Sequence, residues 1–180
     1  MPNWCHNRVT ITWDDEKSEK KIRKHINIPE GLFETEIEDD VFGFNHIVPM
    51  PEELKSVQTG GGTKICTQEE YDNWKPSGDE WRDETRPITQ EMADDYKERF
   101  GSENWYDWAY INWGVKWNRS DAYLNCNDDD MIEISFDTAW GPAEGVYNHL
   151  VEWAQKEEVG LRISWFYDEP GMEFAGYLGN

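Results

Sequence analysis

Hydrophobic and polar positions alternate most clearly between Met131 and Phe136. Ile132, Ile134 and Phe136 are interleaved with Glu133, Ser135 and Asp137. A period of two predicts a strand with one buried and one wet face. Thr138-Ala139-Trp140-Gly141 then turns the chain, and Pro142 falls where a first helical residue needs no N–H. Val146, Tyr147, Leu150, Trp153 and Ala154 follow at helical spacing and form one apolar stripe. Gly160 closes this strand–helix unit, and a large ring at Trp140 is expected to plug the corner between its two parts.

The same reading extends along the chain. Arg8 to Trp13 alternates as a first strand, and Asp14 or Asp15 is placed to cap a basic helix over 16–27 that buries Ile22 and Ile26 and ends before Pro29. Phe33, Ile37, Val41, Phe42, Phe44 and Ile47 are apolar but interrupted. Phe44-Asn-His-Ile-Val-Pro reads as a short extended stretch, with His46 in a packed or hydrogen-bonded role. Residues 51–112 read as a helical insertion. Thr67-x-x-Glu70 is a capping box for a short helix through Trp74. A polar loop over 76–87 carries Trp81. Thr89 starts a helix with Met92, Ala93, Tyr96 and Phe100 on one face, and Gly101 stops it. Ser102 is then placed to cap a helix carrying Trp105, Trp108 and Ala109.

Ala122–Cys126 and Met131–Phe136 predict a hairpin joined by Asn127-Asp-Asp-Asp130. Leu161, Ile163, Trp165 and Tyr167 predict another strand. Glu169-Pro-Gly-Met172 predicts a type II turn with positive φ at Gly171, and Met172–Tyr177 returns as a final strand. The expected fold is α+β, a mostly antiparallel sheet with helices on one face, as one domain over 1–180 with the insertion at about 51–112.

Charge changes this picture. The chain has 180 residues and a net charge of −21, distributed as −1 over 1–37, −9 over 38–100 and −11 over 101–180. Such a surface disfavours direct contact with nucleic-acid phosphates and steers toward basic partners. Eleven tryptophans are present, four of them (Trp105, Trp108, Trp113, Trp117) within thirteen residues. Tryptophan serves cores and interface hot spots alike. Cys5, Cys66 and Cys126 are odd in number and widely spaced, which fits a reducing cytoplasm. No apolar run is long enough for a membrane span, and no signal peptide is expected. Thr59-Gly-Gly-Gly-Thr63 lacks the Gly-Lys-Ser/Thr end of a phosphate loop. The 127–130 turn lacks the glycine and distal glutamate of a calcium loop. No catalytic constellation stands out, and Cys5-His6 in one dipeptide does not align thiol and imidazole. No metal or cofactor is expected.

Four segments carry a family resemblance: Met1-Pro-Asn-Trp-Cys-His-Asn7, Asn112-Trp-Gly-Val-Lys-Trp117, Phe136-Asp-Thr-Ala-Trp-Gly-Pro142, and Tyr167-Asp-Glu-Pro-Gly-Met-Glu-Phe-Ala-Gly176. Spread over the chain in this order, they resemble phage and plasmid proteins with a YubB ferredoxin-like domain. The resemblance implies a ferredoxin-like βαββαβ core and a mobile element in a bacterial cell. It carries no catalytic residues, only motif positions: Asn3, Trp4, Asn7, Asn112, Trp113, Lys116, Trp117, Trp140, Tyr167 and Glu169.

The function expected is that of a non-enzymatic acidic protein of a phage or plasmid. It would bind, and inhibit, a basic host protein of defence or nucleic-acid processing. Trp105, Trp108, Trp113, Lys116 and Trp117 are the candidate anchors, and Asp128, Asp129 and Asp130 the steering charges. The alternative is a small-molecule or nucleotide binder using the Trp-rich insertion, with Lys116 or Arg119 facing a phosphate.

Overall fold

The computed structural model describes residues 3–32, 35–76 and 85–179. Phe33, Trp81 and most of the expected 76–87 loop lie outside them. Two compact units make up the chain: Met1–Pro49 with Asn112–Asn180, and Met50–Ile111.

The first unit is a six-stranded antiparallel sheet with helices. Its strands are β1 (Trp4–Trp13), β2 (Thr35–Glu36), β5 (Ser120–Asn127), β6 (Met131–Ala139), β7 (Leu161–Glu169) and β8 (Phe174–Tyr177), in the order β2-β5-β6-β1-β7-β8. Central β1 pairs with β6 (Val9 opposite Ile134) and with β7 (Val9 opposite Trp165). Strict alternation then puts Cys5, Asn7, Val9, Ile11, Ile132, Ile134, Phe136 and Trp165 on one buried face. Helix α1 (Glu16–Ile26) follows β1. Asp15 caps it by accepting from the Ser18 N–H at 2.8 Å, and Asn27 ends it in the left-handed region. It buries Ile22 and Ile26. Helix α7 (Glu144–Lys156) follows β6 and buries Val146, Leu150 and Ala154, with Tyr147 edge-on to Trp165.

Three local expectations for this unit are overturned. Phe44–Ile47 is a helical turn, α2, packed against α1 and α7. Its N-terminal amide is held by Asn118 Oδ1 at 2.9 Å, a tertiary partner that local reading does not supply. Pro142 precedes α7 by two residues instead of opening it, and Ala143 is the cap. Gly171 does not take positive φ; in that turn Glu173 does, at 59°. Gly171 is there for space, since a Cβ would lie 2.7 Å from Asn3 Nδ2 and 3.0 Å from Glu169 Oε1.

The second unit holds α3 (Glu52–Lys55), β3 (Ile65–Cys66), α4 (Gln68–Asp72), β4 (Ile88–Thr89), α5 (Gln90–Phe100) and most of α6 (Trp105–Asn112). It is not purely helical, because β3 and β4 pair in parallel. The Thr67/Glu70 capping box forms, Thr89 caps α5 and Gly101 ends it at φ 75°. At α6 the expected cap is corrected. Asn104, and not Ser102, accepts from the Asp107 N–H at 2.9 Å, while the Ser102 hydroxyl is buried without a hydrogen-bond partner among the described residues. No helix among the described residues is long and apolar enough to cross a membrane.

Candidate partner-binding surface

The nominated tryptophans divide by burial. Trp108 and Trp113 are 5% exposed. Trp113 packs on Phe44 and donates Nε1–H to the Val48 carbonyl at 2.9 Å. Both rings are core, so their role as anchors is corrected. Trp105 and Trp117 are half-buried. Lys116 lies over the Trp117 ring at 4.3 Å, which covers one face of that indole. Asp128, Asp129 and Asp130 are exposed at the hairpin turn, whose backbone is anchored by Arg23 to the Asp128 carbonyl and by Trp13 Nε1–H to the Asp129 carbonyl.

The resemblance-bearing residues gather in the first unit, where most of them do structural work. Asn7 is buried in β1. It donates to the Cys5 carbonyl at 2.9 Å and to Thr138 Oγ1 at 2.8 Å, and accepts from Trp165 Nε1–H at 2.9 Å. Asn112 and Trp113 meet the start of α7 so closely that a Cβ on Gly145 would lie 2.3 Å from the Asn112 carbonyl oxygen. Trp4 pairs with Ala139, and the Asn3 carbonyl accepts from the Trp140 N–H at 2.9 Å. Tyr167 pairs with Gly176, where a Cβ would lie 2.8 Å from the tyrosine oxygen. Glu169 is fully buried. It accepts from the Met172 N–H, and its Oε1 has no hydrogen-bond partner among the described residues. Burial, followed by lesser effects that include the Glu169 charge, pushes the Cys5 thiol up to about 11, so it stays protonated.

Trp140 does not plug the corner. It is 46% exposed and sits at φ 72°, a left-handed conformation that costs a tryptophan about 1–2 kcal/mol. The reason is positional. β6 runs on to Ala139, and the tight reversal falls on the next residue, which throws the ring outward.

The opposite sheet face was not singled out by any motif. Register aligns one row across five strands: Tyr123, Ser135, Arg8, Phe166 and Tyr177. Tyr177 stands edge-on to Phe166 at 5.3 Å, and the Arg8 guanidinium lies 5.9 Å from the Phe166 centroid. Tyr123 and Tyr177 are 39% and 48% exposed. On one side the next row holds Asp137, His6 and Asp168, with His6 Nδ1 2.6 Å from Asp137. On the other it holds Glu133, Thr10 and Ser164. Arg8 has no ion pair among the described residues. The face thus offers aromatic rings bracketed by carboxylates. The period-two pattern announced a wet face, but only strand pairing puts these five residues in line.

No group of His, Cys, Asp and Glu among the described residues has metal-binding geometry. No family model and no curated protein matches the sequence. A solved structure, protein api92 from Yersinia pseudotuberculosis, described with the family model DUF1281, aligns over 98% of this chain and 93% of that one, at 11% identity and a TM-score of 0.48. That degree of likeness carries no argument about function.

Proposed function

We propose that this chain is a non-catalytic protein-binding module that docks a basic partner on the open face of its sheet. The observation that carries the reading is the exposed aromatic row between rows of carboxylates, on a chain of net charge −21. A partner's Lys or Arg side chain stacks on Tyr177 or Tyr123 and reaches Asp168, Asp137 or Glu133. Arg8 is free to donate to an incoming backbone carbonyl. The exposed 128–130 turn adds to the long-range attraction. A ferredoxin-like core belongs to the same proposal, supported by the central order β5-β6-β1-β7 with α1 and α7 as crossovers. A phage or plasmid origin, a host defence or nucleic-acid-processing protein as the basic partner, and a bacterial cytoplasm are part of the same proposal, supported by the resemblance and, for the compartment, by three free thiols.

The test is fluorescence anisotropy with a labelled nona-arginine peptide. Any acidic protein attracts such a peptide, so the deciding variants leave charge unchanged. Phe166→Ser with Tyr177→Ser should weaken binding about tenfold or more, as loss of a hot spot does. Raising salt from about 50 to about 500 mM should slow association. Peptide affinity unaltered by the two substitutions, or tighter binding of single-stranded DNA than of the peptide, refutes the proposal.

A further inference from the structure

At the edge of the sheet a cavity of about 350 Å³ opens beside the start of β5. Arg119 lies at its back and is only 4% exposed. One guanidinium nitrogen donates to the carbonyls of Glu38 and Val41, and with Asn118, which donates to the Asp39 carbonyl, it clamps the 38–44 loop. That clamp accounts for one nitrogen of the three. Nε is buried with no hydrogen-bond partner, and no carboxylate forms an ion pair with Arg119 among the described residues. Burial pulls the guanidinium below its usual range, although Asp39 and Asp40 oppose the shift. A buried cation that no carboxylate pairs directly, and whose Nε has no hydrogen-bond partner among the described residues, is costly, so an anionic group entering the cavity would be favoured.

The backbone beside it is shaped abnormally. Ser120 pairs with Asp137 but Tyr123 with Ser135, so β5 carries one extra residue in a bulge. Within the bulge Asp121 is held at φ 46°, and the Ser120 hydroxyl is buried without a partner among the described residues. Bulges re-aim side chains, and strain of this kind concentrates at binding sites. Asp121 in this bulge lines the cavity, as do Glu36 and Asp39. None of the three forms an ion pair among the described residues. Ile37, Ala122 and the Tyr123 ring complete the lining.

A pure anion would meet three carboxylates at the rim, and a pure cation would meet Arg119 behind. A ligand bearing both charges satisfies both walls. We propose that this cavity binds a small zwitterion, a free α-amino acid with an apolar side chain. Its carboxylate meets Arg119, its ammonium meets Asp121, Asp39 and Glu36, and its side chain packs on Ile37, Ala122 and Tyr123. The proposal does not rest on docking of a protein partner.

The test is an amide-resolved NMR titration of the full chain with L-leucine, and with acetate and methylammonium as probes of each half. Leucine should give saturable shifts at Ile37, Ala122 and Tyr123, with each half-probe about tenfold weaker or more. Asp121→Asn with Asp39→Asn, both at exposed positions, should weaken leucine about tenfold, and Arg119→Lys should do so further if it folds. No saturable shift up to about 20 mM leucine overturns the proposal, since that corresponds to less than about 2.3 kcal/mol of binding. Acetate binding as tightly as leucine, or leucine binding unchanged in the double carboxamide variant, overturns it too.

Discussion

Asn7 is expected to hold the core together through Trp165, and a double-mutant cycle measures it. Both side chains are buried, at 3% and 0% exposure. Asn7→Leu keeps the volume but removes two donated bonds and leaves the indole N–H without an acceptor. The Thr138 hydroxyl keeps its one donated bond, to the Gly141 carbonyl at 2.6 Å, while the Cys5 carbonyl loses its amide donor. The main penalty is the orphaned indole, at about 1–3 kcal/mol, with about 1 kcal/mol more for the lost bonds. At about 3 kcal/mol in all, the melting temperature should fall by roughly 6–12 °C for a chain of this size. Trp165→Phe empties part of a filled site and strands Asn7 Oδ1. In the double variant neither group is stranded, so its cost should be smaller than the sum of the singles by about 1–3 kcal/mol. Urea unfolding followed by far-UV circular dichroism reads all four proteins. Costs that add to within about 0.5 kcal/mol would show that the bond between the two side chains contributes nothing specific.

Trp140→Ala should change stability by only about 0.5 kcal/mol, as for other exposed positions, and Trp140→Gly should exceed the alanine variant by about 1 kcal/mol because glycine relaxes the positive φ; thermal melts rank the three proteins. Gly145→Ala should cost about 2 kcal/mol or more, since its methyl group would meet backbone of Asn112 at 2.3 Å and 2.7 Å and push α7 from its seat; loss of cooperative melting near the parent temperature checks it. His25 lies flat on Trp153 at 3.9 Å, and burial first, then the His149 and His46 charges, lower its pKa from 6.5 to about 4. Below pH 6.5 the unfolded chain takes up a proton that the folded chain refuses until about pH 4, so stability should fall as pH drops through that window. His25→Phe, unfolded in urea at a series of pH values, should give a flatter curve over the same range.

Residues that act through neighbours in the chain were legible without a structure. Period-two alternation announced β6 and β7, because a strand's two faces are set by its own geometry. Asp15, Thr67, Thr89 and Gly101 marked helix ends, because a cap bonds groups within a few residues of itself. The composition established the acidity. What depended on groups far apart in sequence was decided by tertiary structure alone. Phe44–Ile47 became helical because Asn118, 74 residues on, holds its first amide. Trp108 and Trp113 became core while Trp140 was turned out, since identical side chains are sorted by where the backbone reverses and not by type. The row from Tyr123 to Tyr177 draws on five separate strands joined by pairing register. The Arg119 cavity needs the 38–44 loop folded over β5 and the one-residue bulge that holds Asp121. Alternation can say that a face is wet; only the pairing of strands decides which wet residues become neighbours.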